Sequence, residues 1–130
     1  MNDAYYYFFL DSSKDKVYVQ CDDIFTSLGL GKVTPVKENL LHSISPYVGV
    51  KWKPVLRKLY IEEATIRNLE EDYKNDSVGE KCYQGLLAWK NCQGPQGATI
   101  KTLWDALVVV ECCEALNALR KEIALQISQT

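Results

Sequence analysis

The spacing of apolar residues changes once along this chain, at Thr34-Pro35. Before that point, Tyr5, Tyr6, Tyr7, Phe8 and Phe9 favour a strand, as does the run Val17, Tyr18, Val19. The polar stretch DSSKDK between them reads as a turn, so residues 1–34 are expected to form a hairpin-like extension. Residues 24–30 add a helical turn stopped by Gly29 and Gly31. A two-stranded hairpin is marginal alone, so the aromatic run is expected to pack on the rest of the chain or on a partner.

From Pro35 to residue 130 the period becomes helical. Leu40, Leu41, Ile44 and Tyr47 suit a first helix, with an interruption expected near Ser45-Pro46. A second, over residues 50–59, puts Trp52, Val55, Leu56 and Leu59 on one face. A third, over 62–73, carries Ile66, Leu69 and Tyr73. Ser77 with Glu80 reads as a capping box for a fourth helix with core residues Val78, Cys82, Leu86 and Trp89. NCQGPQG, residues 91–97, is the clearest loop. Thr99 caps a fifth helix with Ile100, Leu103, Ala106 and Leu107 inward. A sixth, from about residue 111 to 127, buries Ala115, Leu116, Leu119 and Ile123. The pattern predicts an all-α antiparallel six-helix bundle.

Four pieces of this run follow one another in an order that belongs to a known family: W-x-x-[LV]-x-R-x-L from Trp52, I-x-x-[IL]-E from Ile66, C-Y-x-x-L-L-x-W from Cys82, and A-T-x-x-x-L-x-x-A-L from Ala98. Over about residues 37–125 the chain resembles the death domains, six-helix interaction modules of apoptotic and inflammatory signalling. The likeness is strongest to cytosolic adaptors such as the Fas-associated and TNF-receptor-associated adaptors. It implies a death-domain fold over residues 35–130, with a core of Trp52, Val55, Leu59, Ile66, Leu69, Leu86, Trp89, Leu103 and Leu107. It also implies a non-enzymatic signalling adaptor, cytoplasmic, whose partners are other death-domain proteins, receptor or adaptor, or further copies of itself. A death-domain-only decoy and the intracellular domain of a receptor are the alternatives. Residues 1–34 are too short for the second recruitment domain that such adaptors often carry. The family often has Gly where Tyr60 stands, which implies an altered turn between helices two and three.

Charge sharpens the choice of surface. The 130 residues are 47% hydrophobic and 25% charged with net charge −2, an ordinary globular composition with no global pull toward nucleic acid. Yet Lys51, Lys53, Arg57 and Lys58 put four positive charges on the second helix with no acid between. Residues 62–76 hold six acids, Glu62, Glu63, Glu70, Glu71, Asp72 and Asp76, against Arg67 and Lys74, a net −4. Such segregation suits copies that stack basic patch on acidic patch, with Lys51, Lys53, Arg57 and Lys58 docking on Glu70, Glu71 and Asp72 of another domain. A solvated face is the plainer alternative. Trp104, beside Leu103, is expected partly exposed and a contact candidate, or else packed on a flank.

Catalysis finds no support. His42 is the single histidine, no C-x-x-C pair occurs, and the adjacent acids Glu62-Glu63 and Glu70-Glu71 point apart on a helix. Neither a cofactor nor a metal is expected. Five cysteines, Cys21, Cys82, Cys92, Cys112 and Cys113, three of them on apolar helix faces, indicate reduced thiols and a cytoplasmic setting. The opening residues lack a basic segment, and their apolar stretch is far shorter than a membrane-spanning helix, so no membrane insertion is expected.

Overall fold

A computed structural model describes the backbone of residues 5–9, 16–20 and 34–128, and the side chains of residues 34–125. The expected turn at 10–15, the helical turn at 24–30, the aromatic side chains of the extension and Cys21 lie outside the described residues. Strands β1 (Tyr5–Phe9) and β2 (Lys16–Gln20) pair antiparallel, with Tyr7 opposite Tyr18.

Six helices follow among the described residues: α1 (Glu38–Val48), α2 (Trp52–Lys58), α3 (Glu63–Asp72), α4 (Val78–Gly97), α5 (Ile100–Val109) and α6 (Cys113–Ser128). A single turn of 3-10 helix, Gly49–Lys51, joins α1 to α2. Helix α1 packs on α4 and α6, and α4 also supports α2 and α3. One core results. Trp52, Val55, Leu59, Ile66, Leu86, Trp89, Leu103 and Leu107 are all buried in it, and Leu69 packs half-buried against it.

Two caps form where the sequence places them. The Glu80 backbone N–H donates to Ser77 Oγ at 3.1 Å, and the Thr102 N–H donates to Thr99 Oγ1 at 3.2 Å. The Glu80 carboxylate accepts from Gln84 Nε2 at 2.8 Å, so the return half of the capping box is spent along the helix. Val78 is more than a third exposed, because a first-turn residue overhangs the end of the core.

Helix α1 runs through Ser45-Pro46 without interruption. Proline inside a helix costs about 3 kcal/mol, but burial of Ile44 and Val48 on either side of it offsets that loss. The buried stripe is Leu40, Leu41, Ile44, Ser45 and Val48, which leaves Tyr47 on the flank and mostly in solvent. The segment 91–97 is also more helical than its composition suggests. Helix α4 continues to Gln93, breaks at Gly94 (φ 73°), and Pro95 opens one last turn closed by Ala98 N–H to the Gly94 carbonyl at 2.9 Å. Proline suits a first turn, where its missing N–H has no partner to lose.

The α2–α3 turn closes on Tyr60 itself. Tyr60 takes φ 64°; its N–H donates to the Arg57 carbonyl and the Ile61 N–H to the Leu56 carbonyl, both at 3.0 Å. This paired arrangement closes a helix on a left-handed residue, with Ile61 tucked back onto the core beside Leu56. A side chain in this conformation costs roughly 1–2 kcal/mol, which glycine would avoid. The α5–α6 turn repeats the pattern with Glu111 at φ 62° and Cys112 N–H on the Leu107 carbonyl at 2.9 Å.

The chain entering α1 is clipped to the chain entering α5. Val36 N–H donates to the Ala98 carbonyl at 3.0 Å, and Ile100 N–H to the Thr34 carbonyl at 2.9 Å.

Trp89 lies at the centre of α4, 1% exposed. Trp89→Ala is expected to lower unfolding free energy by roughly 3–5 kcal/mol in urea titration followed by circular dichroism.

Candidate protein-interaction surface

With Trp52, Val55, Leu56 and Leu59 turned inward, α2 has no choice about its other face: Lys51, Arg57 and Lys58 lie exposed and Lys53 lies half-buried. The four cations meet different surroundings. Lys51 Nζ donates to the Val110 and Glu111 carbonyls, each at 3.1 Å, and so satisfies the open end of α5. Lys53 reaches across to α3, with Nζ 2.7 Å from Glu70 Oε2. It also lies 5.7 Å from the Trp52 ring centroid. Arg57 Nε sits 2.5 Å from Glu63 Oε2, with a longer second bond from Nη2 to Oε1 at 3.4 Å. Lys58 makes no ion pair among the described residues.

Helices α2 and α3 run antiparallel, so Arg57 meets Glu63 at the turn and Lys53 meets Glu70 further along. The sequence-level segregation of charge thus becomes a ladder of contacts inside one molecule. Glu71 pairs along its own helix with Lys74 at 3.2 Å. Glu62, Asp72 and Asp76 are exposed and have no ion pair among the described residues. The hydrogen bond from Arg57 holds the Glu63 carboxyl below its usual range, and the one from Lys53 does the same for Glu70. These pairs stand in solvent, where such contacts are weak and readily exchanged.

Trp104 does not belong to this surface. It is 1% exposed. Neighbours on a helix differ by only about 100° in direction, and a core stripe is at least that wide. Trp104 shares the stripe with Ile100 and Leu107, so Leu103 and Trp104 both face inward.

Two of the surface clefts lie among the described residues. One, about 440 Å³, lies between the α1–α2 junction and the α5–α6 turn, and its lining includes Tyr47, Val50, Lys51, Glu111 and Glu114. The other, about 290 Å³, lies between α1 and the start of α4 beside His42 and Tyr83, whose rings meet edge to face at 5.1 Å. Neither carries a paired nucleophile and base. Among the described residues no group of His, Cys, Asp and Glu gathers in a metal-binding arrangement, and no helix is long and apolar enough to cross a membrane. Sequence reading missed Glu63 as the partner of Arg57, although the two flank one tight turn. It also missed the first cleft, whose residues come from segments far apart in the chain.

Residues 38–123 match the family model for the death domain. The chain is also similar to the human receptor-interacting serine/threonine-protein kinase 1, at 34% identity over 97 residues. That stretch is 75% of this chain and 13% of the relative, so the chain spans a small part of that protein's length.

The four described cysteines are unpaired by disulfides. Burial pushes the Cys82 thiol up to about 12, the hydrogen bond with Ser45 opposing only part of that rise. Cys92 is exposed. Alkylation of the native protein is expected to label Cys92 and spare Cys82 until denaturant is added, read by peptide mass spectrometry.

Proposed function

The chain belongs to the death-domain family, and we propose that it acts as a non-enzymatic adaptor module, docking on the death domains of other signalling proteins in apoptosis or innate immune and inflammatory signalling. The observation that carries this reading is the exposed basic end of α2, where Arg57 and Lys58, the latter without an ion pair among the described residues, project beside the turn into α3. A partner's carboxylate can take Arg57 from Glu63 at small net cost, since a solvated ion pair exchanges one favourable contact for another. Lys51 and Lys53 play a supporting part: each is already held within the molecule, so they fix the shape of the basic edge while Arg57 and Lys58 meet the partner. Asp72, with Glu70 and Glu71 beside it, offers the reciprocal acidic surface to a basic partner helix.

The name of the human relative speaks of interaction with receptors, which favours a receptor or a receptor-bound adaptor as the partner. The cytoplasm, where receptor death domains lie and thiols stay reduced, is the setting this reading requires. Residues 35–130 would form the interaction module, with residues 1–34 as an appended element.

Partner binding is expected to weaken as salt rises through physiological strength, because such charges act mainly on encounter and specificity. Arg57→Glu should weaken binding of a cognate death domain by about tenfold or more in a calorimetric titration. Its helical content and melting temperature should stay close to wild type, since the side chain is exposed. Undiminished binding by both Arg57→Glu and Lys58→Glu would overturn the basic-edge reading.

A further inference from the structure

Two cysteines stand next to each other where α5 turns into α6, and both line the 440 Å³ cleft beside Lys51. Cys112 lies between the helices and Cys113 opens α6. Burial accounts for the first of them: Cys112 is 5% exposed and packs in the core. Cys113 is only half-buried, on the wall of a cleft that solvent enters. Its thiol is therefore within reach of small reagents, and a second thiol waits one residue away. Burial pushes the Cys112 thiol up, and the nearby Lys51 charge opposes part of that rise. Cys112 is thus a poor first target and Cys113 the open one.

The backbone around the pair is held by a small set of bonds. Cys112 N–H donates to the Leu107 carbonyl at 2.9 Å, and Leu116 N–H donates to the Cys112 carbonyl at 3.0 Å. Lys51 Nζ clasps the Val110 and Glu111 carbonyls, and Glu111 sits in left-handed backbone at φ 62°. Neighbouring Cα atoms are about 3.8 Å apart, whereas a relaxed disulfide spans about 4.4–6.8 Å between Cα atoms. A bond between adjacent cysteines therefore cannot form on a helical first turn without moving the peptide between them. Such a bond is strained, and strained disulfides are the easily reduced, regulatory kind.

We propose that Cys112 and Cys113 form a hydroperoxide-responsive modification site, at which a reversible disulfide between the two unfastens the first turn of α6. The Cys113 sulfur, as thiolate, attacks the terminal oxygen of the hydroperoxide. The O–O bond breaks, a sulfenic acid forms on Cys113, and the alkoxide leaves as an alcohol with the proton the thiol has lost. The Cys112 sulfur then attacks the Cys113 sulfur. The S–S bond forms, the S–O bond breaks, and the hydroxide leaves as water with the Cys112 proton. One hydroperoxide is reduced by the two electrons that the thiols supply. Glu111 and Glu114 line the same cleft. Their charge disfavours an anionic thiol such as glutathione and leaves a neutral hydroperoxide free to enter, so Cys112 resolves the sulfenic acid ahead of an external thiol. Closing the bond turns the Cys112 peptide out of line and breaks both its bond to Leu107 and the Leu116 bond to Cys112. The site is independent of the docking surface, because Arg57 and Lys58 lie at the other end of α2 from Lys51.

Peptide mass spectrometry of the full chain after treatment with tert-butyl hydroperoxide tests this. Residues 102–120 form one tryptic peptide whose only thiols are Cys112 and Cys113. After alkylation in denaturant, that peptide should be unlabelled and lighter by two hydrogen atoms, and dithiothreitol should restore both labels. Cys112→Ser should stop at a sulfenic acid on Cys113, trapped by dimedone. Cys113→Ser should leave Cys112 reduced under the same treatment. On oxidation of the wild type, hydrogen exchange at the Cys112 and Leu116 amides should quicken by about tenfold or more, and it should slow again on reduction. Three results would each overturn the proposal: a 102–120 peptide that takes both labels at a dose that oxidises Cys92, a disulfide from either residue to another cysteine, or over-oxidation of Cys113 with Cys112 still a thiol. Unchanged exchange at the two amides in the oxidised protein would overturn the unfastened turn.

Discussion

Helices α2 and α4 meet at a place where one of them has no side chain. A Cβ built on Gly85 would lie 2.4 Å from Leu56 Cδ1, closer than any real contact allows. Leu56 is fully buried and has nowhere to retreat. The missing methyl therefore sets how deeply α2 seats, and much follows from that depth. Trp52, Val55 and Leu59 reach the core together, Trp89 closes beneath them, and the basic face is turned outward as a consequence of apolar packing. The charged face thus follows an orientation that the contact of Leu56 with Gly85 sets.

The inward face of each helix could be read from spacing alone, because burial acts on a period that sequence displays directly. Ser77 and Thr99 were equally legible, since a cap is a local bond between residues three apart. The failures share a different character. Pro46 and the 91–97 segment carry local signals for a break, and in both places tertiary burial or first-turn geometry outweighed them. Leu103 beside it suggests a Trp104 partly exposed or packed on a flank, whereas the width of the stripe puts it in the core. The charge pattern reads differently once folded. Net +4 beside net −4 is a true statement about sequence, but the fold lays one segment against the other, so Lys53 and Arg57 also form solvent-exposed pairs with Glu70 and Glu63 inside the molecule.

What remains for a partner is thus narrower than composition suggests. Lys51 is engaged by α5, and the exchangeable cations collect at the C-terminal end of α2. That end is also where the strained Tyr60 projects. The cleft with its acidic rim joins segments distant in the chain, so no motif could have announced it. Interaction surfaces on small bundles are of this kind: assembled from helix ends and turns, which the core leaves free, while the helix faces are committed to burial.

The clip that ties Thr34 and Val36 to Ile100 and Ala98 bears on the order in which the domain is built. Most contacts in a helical bundle join neighbours and close quickly; this one joins the approach to the first helix with the approach to the fifth. A chain leaving the ribosome N-terminus first has made α1 through α4 before the strand that anchors residues 34 and 36 exists. Those early helices wait without their anchor until Ala98 through Ile100 emerge, and the core is complete only once α6, on which α1 packs, has followed.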